Sequence, residues 1–166
     1  MADILVKLYK LPSLTEALER VEKQGIIIRR PIGAEKENVI KWIGENTISR
    51  WAGESEVAFF NSPRTMYIAL KPNREDGSVE MVGFACWDAT AKGFFGPTAV
   101  REDWRGRGAG IGKALLLSCL YGMREDGYGY AIIGGTGPHG QKFYQHCLPD
   151  AIIIEDSAPG IYDWML

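Results

Sequence analysis

The chain has 166 residues, of which 46% are hydrophobic and 11% aromatic, and its formal net charge is −2. This length and apolar content suit one domain with a full buried core, and the near-neutral charge argues against a dedicated nucleic-acid binder, which would carry a basic face. No apolar run approaches the roughly 18 residues that a membrane span needs, and the N-terminal segment lacks the pattern of a signal peptide. We therefore expect a cytoplasmic protein with neither a nucleic-acid nor a membrane partner.

The cysteines support the same compartment. Cys86, Cys119 and Cys147 are odd in number and have no C-x-x-C spacing. Reduced, buried thiols in a cytoplasmic protein are the simplest account. No cluster of His, Cys and Asp has metal-ligand spacing, so we also expect no metal.

The first 60 residues predict two strands and three helices. Residues 4–11 alternate like a short strand. Ser13 is a good N-cap for the first helix, Glu16 completes a capping box with it, and Gly25 ends the helix. The elements that follow are a β-branched strand and two amphipathic helices, at residues 26–32, 34–46 and 49–60.

Strands dominate the next part of the chain. Polar turns separate three apolar segments at 65–71, 78–89 and 94–100, which predicts hairpin-linked antiparallel strands. The remaining elements are a strong helix, a buried strand, a glycine-rich loop, a short helix and two strands, at 110–126, 128–133, 134–138, 139–146, 151–154 and 161–166. This order predicts an α/β domain of the α+β type, with a mixed, mostly antiparallel twisted sheet flanked by helices.

A glycine–arginine run at residues 105–112 is the most informative segment, because it joins the strand at 94–100 to the strongest helix. Glycines let the backbone approach an anion closely, and the unpaired N–H groups of a helix start point at it. The arginines add charge-assisted hydrogen bonds. The segment therefore predicts a site for a pyrophosphate.

Two common phosphate motifs fail at this segment. A P-loop requires glycine where Arg107 stands and a hydroxyl residue where Ala114 stands. A dinucleotide fingerprint requires a last glycine where Ile111 or Lys113 stands.

A third pattern fits: the run resembles the R/Q-x-x-G-x-G/A signature of the GNAT superfamily of acyl-CoA-dependent N-acetyltransferases, whose loop binds the pyrophosphate of coenzyme A. It fits in two registers, beginning at Arg105 or at Arg107. We favour the second register because the helix start builds the anion site, whereas an earlier helix start would transfer the role to Arg105 and Gly108. The resemblance implies coenzyme A contacts from Arg105, Arg107, Gly108, Ala109, Gly110, Ile111, Gly112 and Lys113.

Gly96 and Pro97 lie inside the strand that leads to this run. Proline in a strand removes a ladder hydrogen bond and indicates a bulge or an edge. In the GNAT fold this strand splays away from the next one, and the gap takes the pantetheine arm. The resemblance implies that the backbones of Thr98, Ala99 and Val100 pair with the pantetheine amides and that one amide faces the thioester oxygen.

Phe143 and Tyr144 are the second point of resemblance. GNAT enzymes often carry this pair on the helix after the fifth strand, although the glycine that usually follows is absent here. In the family the tyrosine hydroxyl protonates the leaving thiolate of coenzyme A, which implies a general-acid role for Tyr144. A buried amphipathic core tyrosine is the alternative.

The sequence leaves the general base open. Many GNAT enzymes place a glutamate on the splayed strand, but residues 94–100 contain no carboxylate. Glu54, Glu56 and Asp88 are the candidates, because they border the acceptor side of the fold. His139 and His146 are the only histidines, and a surface role is the simpler account for both.

The resemblance covers residues 26–166 as the acetyltransferase domain and leaves 1–25 as an N-terminal extension. Segments 95–98, 129–135 and 159–162 also resemble a narrower bacterial group of undefined substrate. The resemblance implies transfer of an acetyl or other acyl group from acetyl-CoA to a primary amine, on a small molecule or a peptide, by direct attack on the thioester. The alternative is a degenerate domain that binds acyl-CoA as a sensor or scaffold. A homodimer is possible, as dimers are common in the superfamily.

Overall fold

A seven-stranded sheet forms the centre of the protein, whose computed structural model describes residues 1–163 and 165–166. Its order is β2-β3-β4-β5-β6-β1-β7. The strands are β1 Ala2–Lys7, β2 Ile27–Arg29, β3 Met66–Pro72, β4 Val79–Trp87, β5 Phe94–Val100, β6 Tyr130–Thr136 and β7 Ile152–Ile154. Neighbouring strands are antiparallel except for the parallel pair β5–β6. The predicted mixed, mostly antiparallel sheet is confirmed.

Among the described residues, five α-helices cover the two faces of this sheet. They are α1 Leu14–Glu22, α2 Lys36–Asn46, α3 Ser49–Phe60, α4 Ile111–Glu125 and α5 Pro138–Cys147. Helices α1, α4 and α5 contribute to one buried apolar cluster, and α2 and α3 to another across the sheet. Helix α4 is the centre of the first cluster because its Leu115, Leu116, Leu117 and Leu120 are all 1% exposed or less. Each removes a large apolar surface from water, worth about 1.5–3 kcal/mol.

The N-terminal residues are built into this sheet. Strand β1 lies between β6 and β7, with Ile4 opposite Ile133 on one side and Ile153 on the other. Helix α1 packs on α4, and the Ser13 hydroxyl caps it by accepting from the Glu16 amide at 3.2 Å. Residues 1–25, predicted as an extension, therefore supply a sheet strand and a layer helix.

The predicted C-terminal strand at 161–166 is wrong over the residues that the structure describes. A 3-10 turn, Gly160–Tyr162, stands there, and Trp164 lies outside the described residues. The turn forms because Gly160 has a φ of +62° and because the Tyr162 ring packs against the backbone of Gly135. A strand continuation would carry this ring away from its contact.

The glycine-rich loop predicted at 134–138 is partly a strand. Gly134, Gly135 and Thr136 extend β6, and Ala2 of β1 lies opposite Thr136. The β1–β6 ladder is irregular at the two glycines, where Gly135 has a φ of +62°, so they form a bulge in the strand. The strand predicted at 26–32 is correspondingly shorter, at Ile27–Arg29, and a 3-10 turn, Gly33–Glu35, precedes α2.

Candidate active site

Strands β5 and β6 diverge at one end of the sheet. They pair only through Phe94 with Ile132 and Phe95 with Ile133. Beyond that point β5 continues to pair with β4, as far as Val100 opposite Gly83. The β4–β5 ladder is irregular where Gly96 and Pro97 were predicted to make a bulge. A gap therefore opens along the β6 side of residues 98–100.

Alternation along β5 decides which backbone groups face this gap. The Arg101 amide donates to the Val82 carbonyl at 2.9 Å, so Ala99, two residues earlier, also directs its amide and carbonyl toward β4. The Ala99 carbonyl accordingly lies 2.9 Å from the position that a Gly83 side chain would take. The backbone amides and carbonyls of Thr98 and Val100 point to the other side of β5, toward the gap. The Ala99 backbone, for which the resemblance implied a pantetheine contact, therefore pairs with Phe84 of β4.

Helix α4 begins at Ile111, beside the open end of this gap. Gly110 is its N-cap with a φ of +82°, a left-handed conformation that costs a residue with a side chain about 1–2 kcal/mol. The first helical hydrogen bond runs from the Ala114 amide to the Gly110 carbonyl at 3.0 Å. The amides of Ile111, Gly112 and Lys113 precede it, so they are the ones with no acceptor inside the helix. This start meets the condition for the second register of the glycine–arginine run.

Helix α1 supports the loop before α4. The Arg20 guanidinium donates to the Gly108 carbonyl at 2.5 Å, and the Gln24 side-chain amide donates to the Ala109 carbonyl at 2.8 Å. Arg105 turns back and donates from Nε to the Val100 carbonyl at 2.6 Å. Arg107 is exposed, with its guanidinium 5.7 Å from the Trp104 ring centroid. Both arginines are thus exposed, and Arg107 is the nearer of the two in sequence to the Gly110 N-cap.

Gly112 allows a close approach at the first turn of α4. A side-chain Cβ there would lie 3.2 Å from the Phe143 ring and 3.7 Å from the Val100 side chain. Helix α5 and strand β5 can therefore pack directly over the helix start because this position has no side chain. Phe143, predicted only as the partner of Tyr144, contributes this packing.

A cavity of about 340 Å³ lies where β5 and β6 separate. Strand β5 contributes Pro97 and Thr98 to its wall, and α5 contributes Gly140 and Tyr144. Further lining side chains come from α3, from the turn after β4 and from the C-terminal turn: Arg50, Trp51, Glu54, Thr90, Pro159 and Tyr162. The cavity thus joins the divergent strands to the predicted tyrosine and to one of the predicted carboxylates.

Tyr144 is almost wholly buried, with 8% of its surface exposed. Its ring meets those of Phe95 and Phe143 edge-on, with centroid separations of 6.2 Å and 5.2 Å. Burial raises the pKa of the Tyr144 phenol well above its ordinary value of 10, with smaller contributions from Cys147 and Tyr162. The hydroxyl therefore keeps its proton throughout the neutral pH range, as a proton donor must.

Glu54 is the predicted carboxylate that reaches the cavity. Its Oε2 accepts a hydrogen bond from the Thr90 hydroxyl at 2.5 Å. Tyr162 also lines the cavity, and its pKa is raised chiefly by burial and next by the charge of Glu54. Three cavity side chains on separate segments thus form one polar group.

The other two predicted carboxylates have structural partners elsewhere. Glu56 pairs with Lys36 at 3.2 Å on the outer side of α3. Asp88 is buried and accepts from Lys92 at 3.2 Å, from the Gly93 amide at 2.8 Å and from the Tyr128 hydroxyl at 2.9 Å. Neither is among the described residues that line the cavity. Asp88 holds the turn between β4 and β5 instead.

The histidines and cysteines lie outside this polar group. His139 and His146 are both exposed on α5, and the three cysteines are buried and free. Within residues 1–163 and 165–166, no three His, Cys, Asp or Glu side chains are grouped closely enough to hold a metal ion. None of the described helices is both long and apolar enough to cross a membrane.

Sequence reasoning missed Arg50, Thr90 and Tyr162 as cavity residues. Arg50 lies four residues before Glu54 on the same helix, so helical periodicity could have linked the two. Tyr162 was assigned to a strand, and Thr90 had no local signal. Only the fold brings these side chains together.

The splayed strands, the helix start beside them and the order of the elements define the GNAT fold. Two of the solved structures that share it illustrate the likeness. The GCN5-related glucosamine N-acetyltransferase region of a fungal multi-domain GH3 β-N-acetylglucosaminidase aligns with a TM-score of 0.68 and 11% identity, over 92% of this chain and 19% of that one. A GCN5-related N-acetyltransferase from Sphaerobacter thermophilus aligns with a TM-score of 0.61 and 22% identity, over 92% of this chain and 48% of that one.

The chain therefore has the fold of the GCN5-related N-acetyltransferases, as its sequence predicted. It spans about half or less of each of these two proteins. No protein-family model matches the sequence, and no curated protein matches it at a significant level.

Proposed function

We propose that this chain transfers an acetyl group from acetyl-CoA to a primary amine. One observation carries the proposal: Thr98, on the splayed part of β5, lines the same cavity as Tyr144 and Glu54. Two residues further along β5, the Val100 side chain lies close to Gly112 at the start of α4. An anion site, an extended backbone site and an acid–base pair then follow one another along a single path. That is the sequence of groups that acyl transfer from a long thioester requires.

The chain has groups suited to each part of acetyl-CoA. The amides of Ile111, Gly112 and Lys113, with the charge of Arg107, would hold the pyrophosphate. The backbone groups of Thr98 and the Val100 amide face the gap and would pair with the pantetheine amides. Acetyl-CoA supplies the thioester carbon that the amine attacks.

The chemistry needs one base and one acid. Glu54 takes a proton from the acceptor ammonium, directly or through water, and the freed nitrogen forms a bond to the acetyl carbon. The carbon–sulfur bond breaks, and Tyr144 donates its proton to the sulfur, so the products are an amide and the free thiol. The phenolate regains a proton from solvent, and Glu54 releases the one it accepted. Because burial raises the pKa of Tyr144, its hydroxyl is protonated at neutral pH and has a proton available for the sulfur.

Calorimetry with acetyl-CoA, combined with a thiol-release assay over a panel of primary amines, tests the proposal. We expect binding, and turnover with at least one amine. Binding without turnover of any amine would favour the alternative, an acyl-CoA-binding domain without activity, and absence of binding would overturn both.

A matched pair of variants tests the anion site within the same experiment. Arg107→Ala removes a charge beside the start of α4, whereas Arg124→Ala removes one in its last turn, at the opposite end of the helix. We expect acetyl-CoA affinity to fall about tenfold or more in the first, as for loss of a charge-assisted hydrogen bond. The second should bind like the parent protein.

A further inference from the structure

Two opposite charges line the cavity from one helix. Arg50 and Glu54 are four residues apart on α3, so they lie on the same face, with Cβ atoms about 5–6 Å apart. Glu54 is half-buried and reaches inward to Thr90, whereas Arg50 is exposed at the rim. The carboxylate is thus the deeper of the two.

Arg50 has no ion-pair partner among the described residues, and that includes Glu54. Its guanidinium lies over the Tyr162 ring, 6.0 Å from the centroid. An arginine that stacks on a ring keeps the N–H donors at the edge of its plane free. Those donors match the two oxygens of a carboxylate or of a phosphate.

The size of the cavity limits what can occupy it. A volume of about 340 Å³ lies at the low end of the range for small-molecule sites, so it suits a small molecule rather than a folded partner. Trp51, Phe95 and Pro97 also line it and leave few polar groups besides those already described. A bound ligand would therefore meet one cationic and one anionic side chain across a short apolar span.

We propose that the acceptor is a small amine that also carries an anionic group, as amino acids do, with its anion on Arg50 and its amine directed to Glu54. This inference rests on the acetyltransferase activity proposed above and specifies its substrate class. It explains why the inner charge is the carboxylate: the ammonium must give up its proton beside the thioester, while the anion only anchors the molecule at the rim. The transferred acetyl group forms the new carbon–nitrogen bond, and the anion takes no part in the chemistry.

Matched amines test the anion requirement. β-Alanine and phosphoethanolamine carry a carboxylate and a phosphate, and β-alaninamide and ethanolamine are their neutral counterparts. We expect at least one anionic member to exceed its neutral counterpart about tenfold or more in kcat/KM, since a hydrogen bond between charged groups is worth a factor of about 10 to 100. The pair that shows the preference identifies the anion. Equal turnover of both members in both pairs, or a preference for neutral amines such as glucosamine, would overturn the inference while leaving the acetyltransferase activity intact.

Variants of Arg50 show whether this side chain causes the preference. Arg50→Gln should reduce the anionic-to-neutral ratio of kcat/KM to near one, and Arg50→Lys should restore part of it because it keeps the charge without the planar fork. Arg124→Gln is the control, since it removes a distant arginine and should preserve the ratio. An Arg50→Gln protein that keeps the full ratio would refute the role of Arg50. Absence of turnover with every amine would overturn the proposed function itself.

Discussion

Replacing Tyr144 by phenylalanine removes one hydroxyl from the cavity wall and keeps the ring. The edge-on contacts with Phe95 and Phe143 involve the ring alone. The hydrogen bonds found for tyrosine hydroxyls in the described part of the chain belong to Tyr9, Tyr121, Tyr128 and Tyr130, not to Tyr144. We therefore expect the free energy of unfolding to change by less than about 1 kcal/mol.

The catalytic effect of the same change should be much larger. A well-placed general acid contributes about 10²- to 10⁴-fold, which is about 2.7–5.4 kcal/mol in the activation barrier. We expect kcat to fall by up to this factor in a thiol-release assay, while the Kd for acetyl-CoA from calorimetry stays within about twofold. Because burial raises the pKa of Tyr144 above 10, kcat of the parent protein should show no loss attributable to this group as the pH rises to about 10.

Tyr121→Phe is the control for loss of a hydroxyl. The Tyr121 hydroxyl donates to the Pro12 carbonyl at 3.0 Å, away from the cavity. This variant should lose about 1 kcal/mol of stability and keep its kcat. Full activity in Tyr144→Phe, or equal losses of activity in both variants, would refute the acid role of Tyr144.

Three further predictions concern the loop and the core. Gly110→Ala should lower Tm by roughly 2–8 °C, the effect of about 1–2 kcal/mol of left-handed strain in a chain of this size. Gly106→Ala is the control, because Gly106 also has a positive φ but a Cβ there would meet no atom within 4 Å, whereas a Gly110 Cβ would lie 3.0 Å from Arg20. A larger decrease in Tm for Gly106→Ala than for Gly110→Ala in thermal denaturation would contradict this reasoning. Arg20→Ala should weaken acetyl-CoA binding about 2- to 10-fold in calorimetry, because the Gly108 carbonyl loses its donor; an unchanged Kd would show that the loop holds its shape without α1. Cys86 and Cys119 should resist alkylation in the native protein at pH 8, because both thiols are buried and burial raises their pKa. Mass spectrometry after alkylation measures the labelling, and rapid labelling of either thiol would contradict its burial.

Local signals in the sequence were sufficient for the central elements. Strand β5 and helix α3 have the predicted bounds, and α4 lies within one residue of them at each end. These segments have strong apolar patterns bounded by glycine or proline, and their neighbours in the fold reinforce the local preference. The glycine–arginine run could be placed at a helix start for the same reason.

Long-range contacts explain the elements that were predicted wrongly from the sequence or not placed at all. The position of β1 between β6 and β7 depends on partners more than 100 residues away, which no local pattern encodes. The C-terminal turn replaced a predicted strand because Tyr162 packs on Gly135, a contact between two segments that are separate in the sequence. Hydrophobic alternation alone cannot tell such a turn from a strand.

The fold, the position of the glycine–arginine run before α4 and the short set of candidate acids and bases could be predicted from the sequence. Which of the carboxylates lies at the cavity depends on the tertiary structure. Glu54 and Glu56 are two residues apart on α3, so helical geometry of about 100° per residue directs them to nearly opposite sides. One reaches the cavity and Thr90, and the other reaches Lys36. The residue type shows that a side chain is a carboxylate. Its role depends on the face of the helix that it occupies and on the groups that the rest of the chain places against that face.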